Sequence, residues 1–279
     1  MGLDVFPPAD PGSSLRREQV QVPAVAKAIA IIRILNMHPD SGNSLSDIAD
    51  SLDITRSHCH NILRTLVIHG WVDYDSSTRR YSLASGIAVD SSSALVSRTH
   101  LAAIRPIAES LAIETGYPCI LAEPIADGSY LIVHTTKFPD LSMLNAPVGY
   151  RFPPGTAAQM KAKLAWLPPA EQEAELANWT PVRHSKTSIM DKFAMLEDLA
   201  TCRGRGYARS AGEYVEGFTT IALPVFNREG RVFLIVSIGS SAVTMTAREQ
   251  QVADATTRAV TKIHSMLDGR PPVDFPRPR

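Results

Sequence analysis

The sequence predicts an α+β protein of two domains: a small helical module with a hairpin wing, then a larger domain in which helices flank a sheet. Three observations carry that prediction. Between Ser44 and Leu83, two short amphipathic helices separated by a tight turn run into a candidate hairpin, the order of a winged helix-turn-helix. From Tyr117 onward, stretches that alternate like strands interleave with stretches of helical period. At 279 residues the chain also has the length of two ordinary domains.

Residues 1–22 are polar and contain Pro, Gly and Ser, and they read as a disordered tail in which Arg16 and Arg17 either brush DNA phosphates or are simply solvated. The winged domain, residues 23–85, opens with a helix from Pro23 to Met37. Val25, Ala28, Ile29, Ile32 and Leu35 follow the helical period, with Lys27 and Arg33 off that face. His38-Pro39-Asp40-Ser41-Gly42 is a turn-rich break. Ser44 and Asp47 have the spacing of a capping box, which satisfies free N–H groups at a helix start, and Leu45, Ile48, Ala49 and Leu52 give that helix one apolar face. Asp53 and Ile54 make the turn.

Thr55 can cap the next helix through its hydroxyl. There Cys59, Ile62, Leu63, Leu66 and Val67 fall inside and Gly70 forms a left-handed end. Arg56, Ser57, His60, Asn61 and Arg64 fall outside, with no acid between Thr55 and Gly70. Such a face suits the major groove, where Arg pairs with guanine and Asn with adenine. A solvated surface helix would be polar outside too. The strands Trp71–Tyr74 and Arg79–Leu83 around the turn Asp75-Ser76-Ser77-Thr78 favour the DNA reading, with Arg79 and Arg80 at the base of the turn where a wing meets phosphates. The expected DNA-binding set is Thr55, Arg56, Ser57, His58, His60, Asn61, Arg64, Arg79 and Arg80.

Residues 86–105 read as a linker helix with a broken apolar stripe of Ile87, Ala94, Leu95, Leu101 and Ile104, either a dimer contact and lever or a plain connection. Pro106 restarts the helix, burying Ile107, Leu111 and Ile113 before a cap at Gly116. Residues 106–268 then form the second domain. Strands are expected at 118–123, 130–136, 141–146, 207–210, 219–226 and 231–238, with Asp127-Gly128 and Asn227-Arg228-Glu229-Gly230 as turns. Helices are expected at 156–166, at 169–178, and from a capping box of Ser188 and Asp191 to about Arg203. A last helix should open at a capping box of Thr246 and Glu249 and bury Val252, Ala255, Val260, Ile263 and Leu267. Gly269 ends it, and the Pro/Arg-rich residues 269–279 read as a second disordered tail.

Composition narrows the function classes. Lys and Arg total 28 and Asp and Glu total 28, so the chain is no general nucleic-acid coat, although a sequence-specific regulator localises its cations on one face. Cys59, Cys119 and Cys202 form no CxxC pair or zinc spacing and read as buried reduced thiols. There is no HExxH, no GxSxG elbow and no GxxxxGK[ST] loop, and His58 and His60 at i,i+2 point to different sides of a helix. Catalysis, a resident metal and a cofactor are therefore not expected. No apolar run is long enough to span a bilayer and no signal-peptide pattern opens the chain, so a cytoplasmic location is expected.

Ordered blocks along nearly the whole chain make it similar to the IclR family of bacterial transcriptional regulators. These are Leu45-Ser46-Asp47-Ile48-Ala49, Thr55-Arg56-Ser57, Ile62-Leu63-Arg64-Thr65-Leu66, Gly70-Trp71-Val72 and Arg80-Tyr81-Ser82-Leu83. Further on come Val148-Gly149 with Pro153, Lys161-Ala162-Lys163-Leu164-Ala165, Arg205-Gly206-Tyr207-Ala208, Glu213 with Gly217, and Ala222-Leu223-Pro224-Val225 with Gly230. The resemblance implies a GAF/profilin-like effector-binding domain, a homodimer through the N-terminal domains or a dimer of dimers, and operator DNA as partner. It also implies a small metabolite, an organic or aromatic acid, that changes operator affinity. Its effector pocket maps onto Leu141, Leu144, Ala158, Gln159, Met160, Ser210, Phe218, Thr220 and Ser237. Free N–H groups at a helix start near Thr156 to Gln159 would suit a carboxylate, and Thr220 and Ser237 could complete its hydrogen bonds. Asn61, Met160, Thr220 and Gly239 depart from the residues common in the family (Arg, Gly, Cys and Ser), so no one relative's ligand carries over. A ligand-independent DNA-binding oligomer is the alternative reading.

Overall fold

The computed structural model describes residues 22–37, 41–92, 99–136, 147–155 and 157–278, and the chain divides into two compact units between Thr99 and His100. The first unit contains α1 (Pro23–Met37), β1 (Asn43–Ser44), α2 (Leu45–Ser51), α3 (Arg56–Ile68), β2 (Val72–Asp75), β3 (Arg80–Leu83) and α4 (Gly86–Asp90). Local chemistry fixes most of these ends. The Ser44–Asp47 capping box is complete, and the Thr55 hydroxyl accepts the His58 N–H at 3.2 Å. Asp53 and Gly70 take the left-handed backbone at the two turns. The core is Ile31 and Leu35 of α1, Ile48 and Ala49 of α2, Cys59, Ile62, Leu63 and Leu66 of α3, and Val72 and Tyr81 of the wing.

Two expectations of burial fail here. Val25 and Ile29 are exposed, because α1 is apolar nearly all round and docks through Ile31 and Leu35, one step round the helix. Val67 is also exposed, since the four preceding apolar positions of α3 already fill the core. A third strand joins the expected hairpin: β1 pairs antiparallel with β3, giving the order β1-β3-β2.

The second unit contains α5 (Thr99–Thr115), β4 (Cys119–Pro124), β5 (Tyr130–Thr135), β6 (Arg151–Phe152), α6 (Ala157–Leu164), α7 (Pro169–Ala177), α8 (Lys192–Arg205), β7 (Ala208–Ala211), β8 (Phe218–Phe226), β9 (Val232–Ser241) and α9 (Ala242–Leu267). The six strands form one antiparallel sheet in the order β6-β5-β4-β9-β8-β7. α9 lies along β8 and β9, with Arg209 of β7 paired to Glu249 of α9 at 2.9 Å, while α6 covers β7, β8 and β9 from the opposite face.

The observed boundaries correct several sequence readings. α5 runs through Pro106 without a restart, and Leu101 and Ile104 are buried in the second unit's core, so residues 101–105 belong to that domain and not to a linker. Ile113 is exposed on the outer side of α5. Asp191 alone caps α8; Ser188 instead accepts the N–H groups of His184 and Ser185 and donates to the Glu213 carbonyl. β9 extends to Ser241, which caps α9. Thr246 and Glu249 therefore lie inside that helix and form no capping box.

The Pro/Arg-rich tail is packed. Phe275 is buried, its ring 5.2 Å from Trp166, 5.5 Å from Phe226 and 5.4 Å from His264. The Arg270 N–H donates to the Asn227 carbonyl, and Asp274 pairs with Arg203 at 3.3 Å. The expected strand at 141–146 and residues 1–21 of the N-terminal tail lie outside the described residues.

Candidate nucleic-acid interface and effector pocket

Burial separates α3 into two faces. Cys59, Ile62, Leu63 and Leu66 are in the core, while Thr55, Arg56, Ser57, His60, Asn61 and Arg64 are exposed and His58 is half-buried. The exposed side therefore offers two guanidinium groups, an amide and an imidazole with no acidic neighbour on the same helix, the donor and acceptor set that base edges and phosphates accept.

The wing is held from within. Asp75 Oδ1 accepts the Ser77 N–H at 2.8 Å and the Ser77 hydroxyl at 2.6 Å, and its Oδ2 accepts the Thr78 hydroxyl at 2.8 Å. These bonds hold its carboxyl at about 2, below the usual carboxylate range. Arg79 sits exposed at the tip with φ 57°. Arg80 also has a role within the wing itself. Its Nη1 donates to the Gly42 carbonyl at 2.9 Å and to Ser41 at 3.3 Å, so part of its guanidinium ties the wing to the turn before β1.

The wing is also joined to the segment that follows it. Trp71 Nε1 donates to Asp90 Oδ2 at 2.6 Å, and the Gly86 N–H donates to the Gly70 carbonyl at 3.1 Å. A Cβ at Gly86 would overlap that same carbonyl oxygen.

In the second unit the sheet register gathers the strand residues expected at the effector pocket. Ser210 pairs with Thr220, Thr220 with Gly239, Phe218 with Ser241, and Ala222 with Ser237, so Ser210, Phe218, Thr220 and Ser237 share one face. That face is opposite the Arg209–Glu249 pair and is the one α6 covers. Ala158, Gln159 and Met160 of the first turns of α6 are buried, as are Ser210 and Ser237, and Phe218 and Thr220 are half-buried. Gly239 leaves room for Thr220: a Cβ there would come 3.2 Å from Oγ1. The Ser237 hydroxyl lies 3.5 Å from the Ile120 carbonyl. Leu141, Leu144 and Thr156 lie outside the described residues.

Sequence reasoning missed two groups beside this face. One is an aromatic set: the hydroxyls of Tyr150 and Tyr214 are 3.2 Å apart, Phe152 packs edge-on to both rings, and His184 meets Tyr214 at 4.8 Å. Burial keeps the His184 imidazole below its ordinary pKa and pushes both phenols up. The other is Lys161, buried between Glu213 and Asp198. No local signal distinguishes it: the same short helix also carries Gln159 and a second lysine, Lys163, whose side chain pairs with Glu175. Among the described residues no cluster of three or more His, Cys, Asp or Glu side chains could hold a metal ion, and no helix is long and apolar enough to cross a membrane.

Comparison with known proteins agrees with this geometry. The model of the IclR helix-turn-helix domain matches residues 24–76, and that of the bacterial transcriptional regulator IclR C-terminal domain matches residues 93–265. The chain is 28% identical over 252 residues to the HTH-type transcriptional regulator BhcR of Paracoccus denitrificans, covering 86% of this chain and 85% of that protein. It is 30% identical over 207 residues to the glycerol operon regulatory protein of Streptomyces coelicolor, covering 74% and 80%. Among solved structures, an IclR transcriptional regulator from Alicyclobacillus acidocaldarius superposes with a TM-score of 0.70 at 27% identity, over 88% of this chain and 98% of that one. An IclR homolog from Microbacterium hydrocarbonoxydans, complexed with 4-hydroxybenzoate, shares the fold with a TM-score of 0.66 at 20% identity, over 88% and 99%. With the helix-turn-helix and C-terminal domains both matched, in order and over most of its length, the chain belongs to the IclR family of bacterial transcriptional regulators.

Proposed function

We propose that this protein binds operator DNA through α3 and the wing, and that a small organic acid, held between α6 and the β7–β9 face, changes that affinity. The observation that carries the first half is the exposed, acid-free face of α3 with Arg56, His60, Asn61 and Arg64. The second half is supported by hydroxyls on one sheet face, Ser210, Thr220 and Ser237, opposite a helix start whose N–H groups suit a carboxylate. Phe218 and Met160 supply apolar surface for the body of the ligand. The working form is a homodimer or a dimer of dimers, located in the cytoplasm, and the protein is not an enzyme.

The test is fluorescence anisotropy on a labelled duplex from the DNA upstream of the protein's own gene and on a scrambled duplex, across a salt series. Specific binding should be tighter by on the order of 10³-fold, with affinity falling steeply with salt. Arg64→Ala should weaken the specific complex and leave the fold intact. Adding 4-hydroxybenzoate or small aliphatic acids should move the binding curve, and Thr220→Val should blunt that movement alone. Equal weak binding to every duplex, with and without acids, would end this reading. Operator binding that no acid shifts would favour the ligand-independent oligomer.

A further inference from the structure

Lys161 is fully buried, with a side-chain exposure of 1%, yet its ammonium group is completely satisfied. Nζ lies 2.6 Å from Glu213 Oε1, 2.7 Å from Asp198 Oδ2 and 3.0 Å from the Arg209 carbonyl oxygen. An ammonium has three N–H donors, and here each meets an acceptor from a different element. Asp198 is on α8, Arg209 is on β7, and Glu213 is in the turn that follows β7. That turn is fixed in its own right: the Ser188 hydroxyl donates to the Glu213 carbonyl at 2.8 Å, the Gly212 N–H to Phe218 at 2.6 Å, and the Ala242 N–H to Gly217 at 2.7 Å.

Net stability does not explain this arrangement. A buried ion pair gives little or none over a well-packed apolar replacement, because desolvation offsets the attraction, whereas removing one partner alone is severe. What three charge-assisted hydrogen bonds do supply is direction. Lys161 follows Gln159 and Met160 on α6, and Arg209 precedes Ser210 on β7. The tripod therefore sets the gap between the helix wall and the strand floor of the pocket.

We propose that Lys161, with Glu213 and Asp198, is a positioning residue for the effector pocket: it holds the first turns of α6 at a fixed spacing and angle to β7. The inference rests on the pocket proposed above, but its structural half can be measured without a ligand. In the full-length protein, Lys161→Met leaves Glu213 buried without its cation and should lower stability strongly. The double variant Lys161→Met/Glu213→Leu removes the cation and its more buried partner, leaves Asp198, whose side chain is 27% exposed, to be solvated, and should recover most of the lost melting temperature.

Amide hydrogen exchange in that double variant should nevertheless be at least tenfold faster over residues 157–164 and 208–213, with α3 and the middle of α9 unchanged. With 4-hydroxybenzoate or the aliphatic acid that shifts the wild type, the effective concentration should rise at least tenfold while operator affinity is kept. Wild-type exchange in those two segments would overturn the proposal and mean that packing alone places α6. Glu213→Gln, which keeps an acceptor without the charge, gives a second reading on a conservatively altered core. It should show a several-fold increase in the same segments, and no increase there would count equally against the tripod. A wild-type protein that answers to no acid would remove the effector reading while leaving the exchange experiment decisive for Lys161.

Discussion

His264 provides a direct test of how the second unit is held together. Its imidazole lies inside α9, half-stacked on Phe226 and edge-on to Phe275, and Nε2 accepts the Phe226 N–H at 2.9 Å. Nε2 is therefore the unprotonated ring nitrogen, and a proton placed there would break the bond and leave a charge among aromatic rings. Burial lowers this group to about 4 from an ordinary 6.5. The folded pKa lies below the unfolded one, so the unfolded chain takes up the proton first. The contribution is fully present above 6.5 and is lost as pH falls toward 4. Linkage between those two values removes about 2 kcal/mol by pH 5. With a urea dependence of about 2–3 kcal/mol per molar, that is a fall of nearly 1 M in the unfolding midpoint.

The assay is urea unfolding at pH 7 and pH 5, followed by tryptophan fluorescence, with Trp166 reporting from 5.2 Å beside Phe275. His134 and His184 are also lowered by burial and act in the same direction. The informative quantity is thus the difference between wild type and His264→Gln, whose amide oxygen can still accept the Phe226 N–H but does not titrate. The variant should lose about 2 kcal/mol less than wild type between the two pH values. Parallel losses would refute the reasoning and place the acid sensitivity elsewhere.

Three further outcomes follow from the geometry. Gly86→Ala drives a methyl into the Gly70 carbonyl and should destabilise the first unit by about 1–3 kcal/mol, read as a lower melting transition. Phe275→Ala empties the site between Trp166, Phe226 and His264. It should cost about 3 kcal/mol, the lower end for a buried Phe because the segment past α9 can rearrange, and exchange of the Arg270 amide, which donates to the Asn227 carbonyl, should quicken. Thr55→Ala removes the acceptor of the His58 N–H and should cost about 1 kcal/mol, with faster exchange of that amide as the local readout.

What the sequence revealed and what it hid divide along the range of the interactions. The Ser44–Asp47 box, the Thr55 cap and the Gly70 end involve neighbours within one turn, and all three are present. In each of the boxes read at Ser188/Asp191 and Thr246/Glu249 one member is held by a distant partner, while Asp191 still caps α8 and the Thr246 hydroxyl donates to the Ala242 carbonyl inside α9. Ser188 belongs to the Glu213 turn, and Glu249 accepts from Tyr207 and Arg209 forty or so residues away. The tail misled for the same reason: its Pro/Arg composition reads as disorder until Phe275 meets three aromatic rings from other elements. The grouping of Ser210, Phe218, Thr220 and Ser237 came from the family resemblance and not from their spacing; period two relates Phe218 to Thr220, but only the pairing of β7, β8 and β9 puts all four on one face. Nothing local to Lys161 announces carboxylates 37 and 52 residues later.

The wing carries a consequence for how strongly DNA binding should depend on salt. Its turn is tied by Asp75, its base is tied through Arg80 to the Ser41–Gly42 turn, and Arg79 is already set in a left-handed conformation. A loop ordered in this way before contact loses little conformational entropy on docking, so more of each phosphate contact remains as affinity. Arg80 keeps its positive charge while Nη1 is held by backbone carbonyls, so under the proposed DNA reading Arg79 and Arg80 both displace counterions. Neutralising Arg79 should flatten the slope of log affinity against log salt by about 0.9, the value for one phosphate. Neutralising Arg80 should flatten the slope too and, in addition, loosen the wing from the Ser41–Gly42 turn.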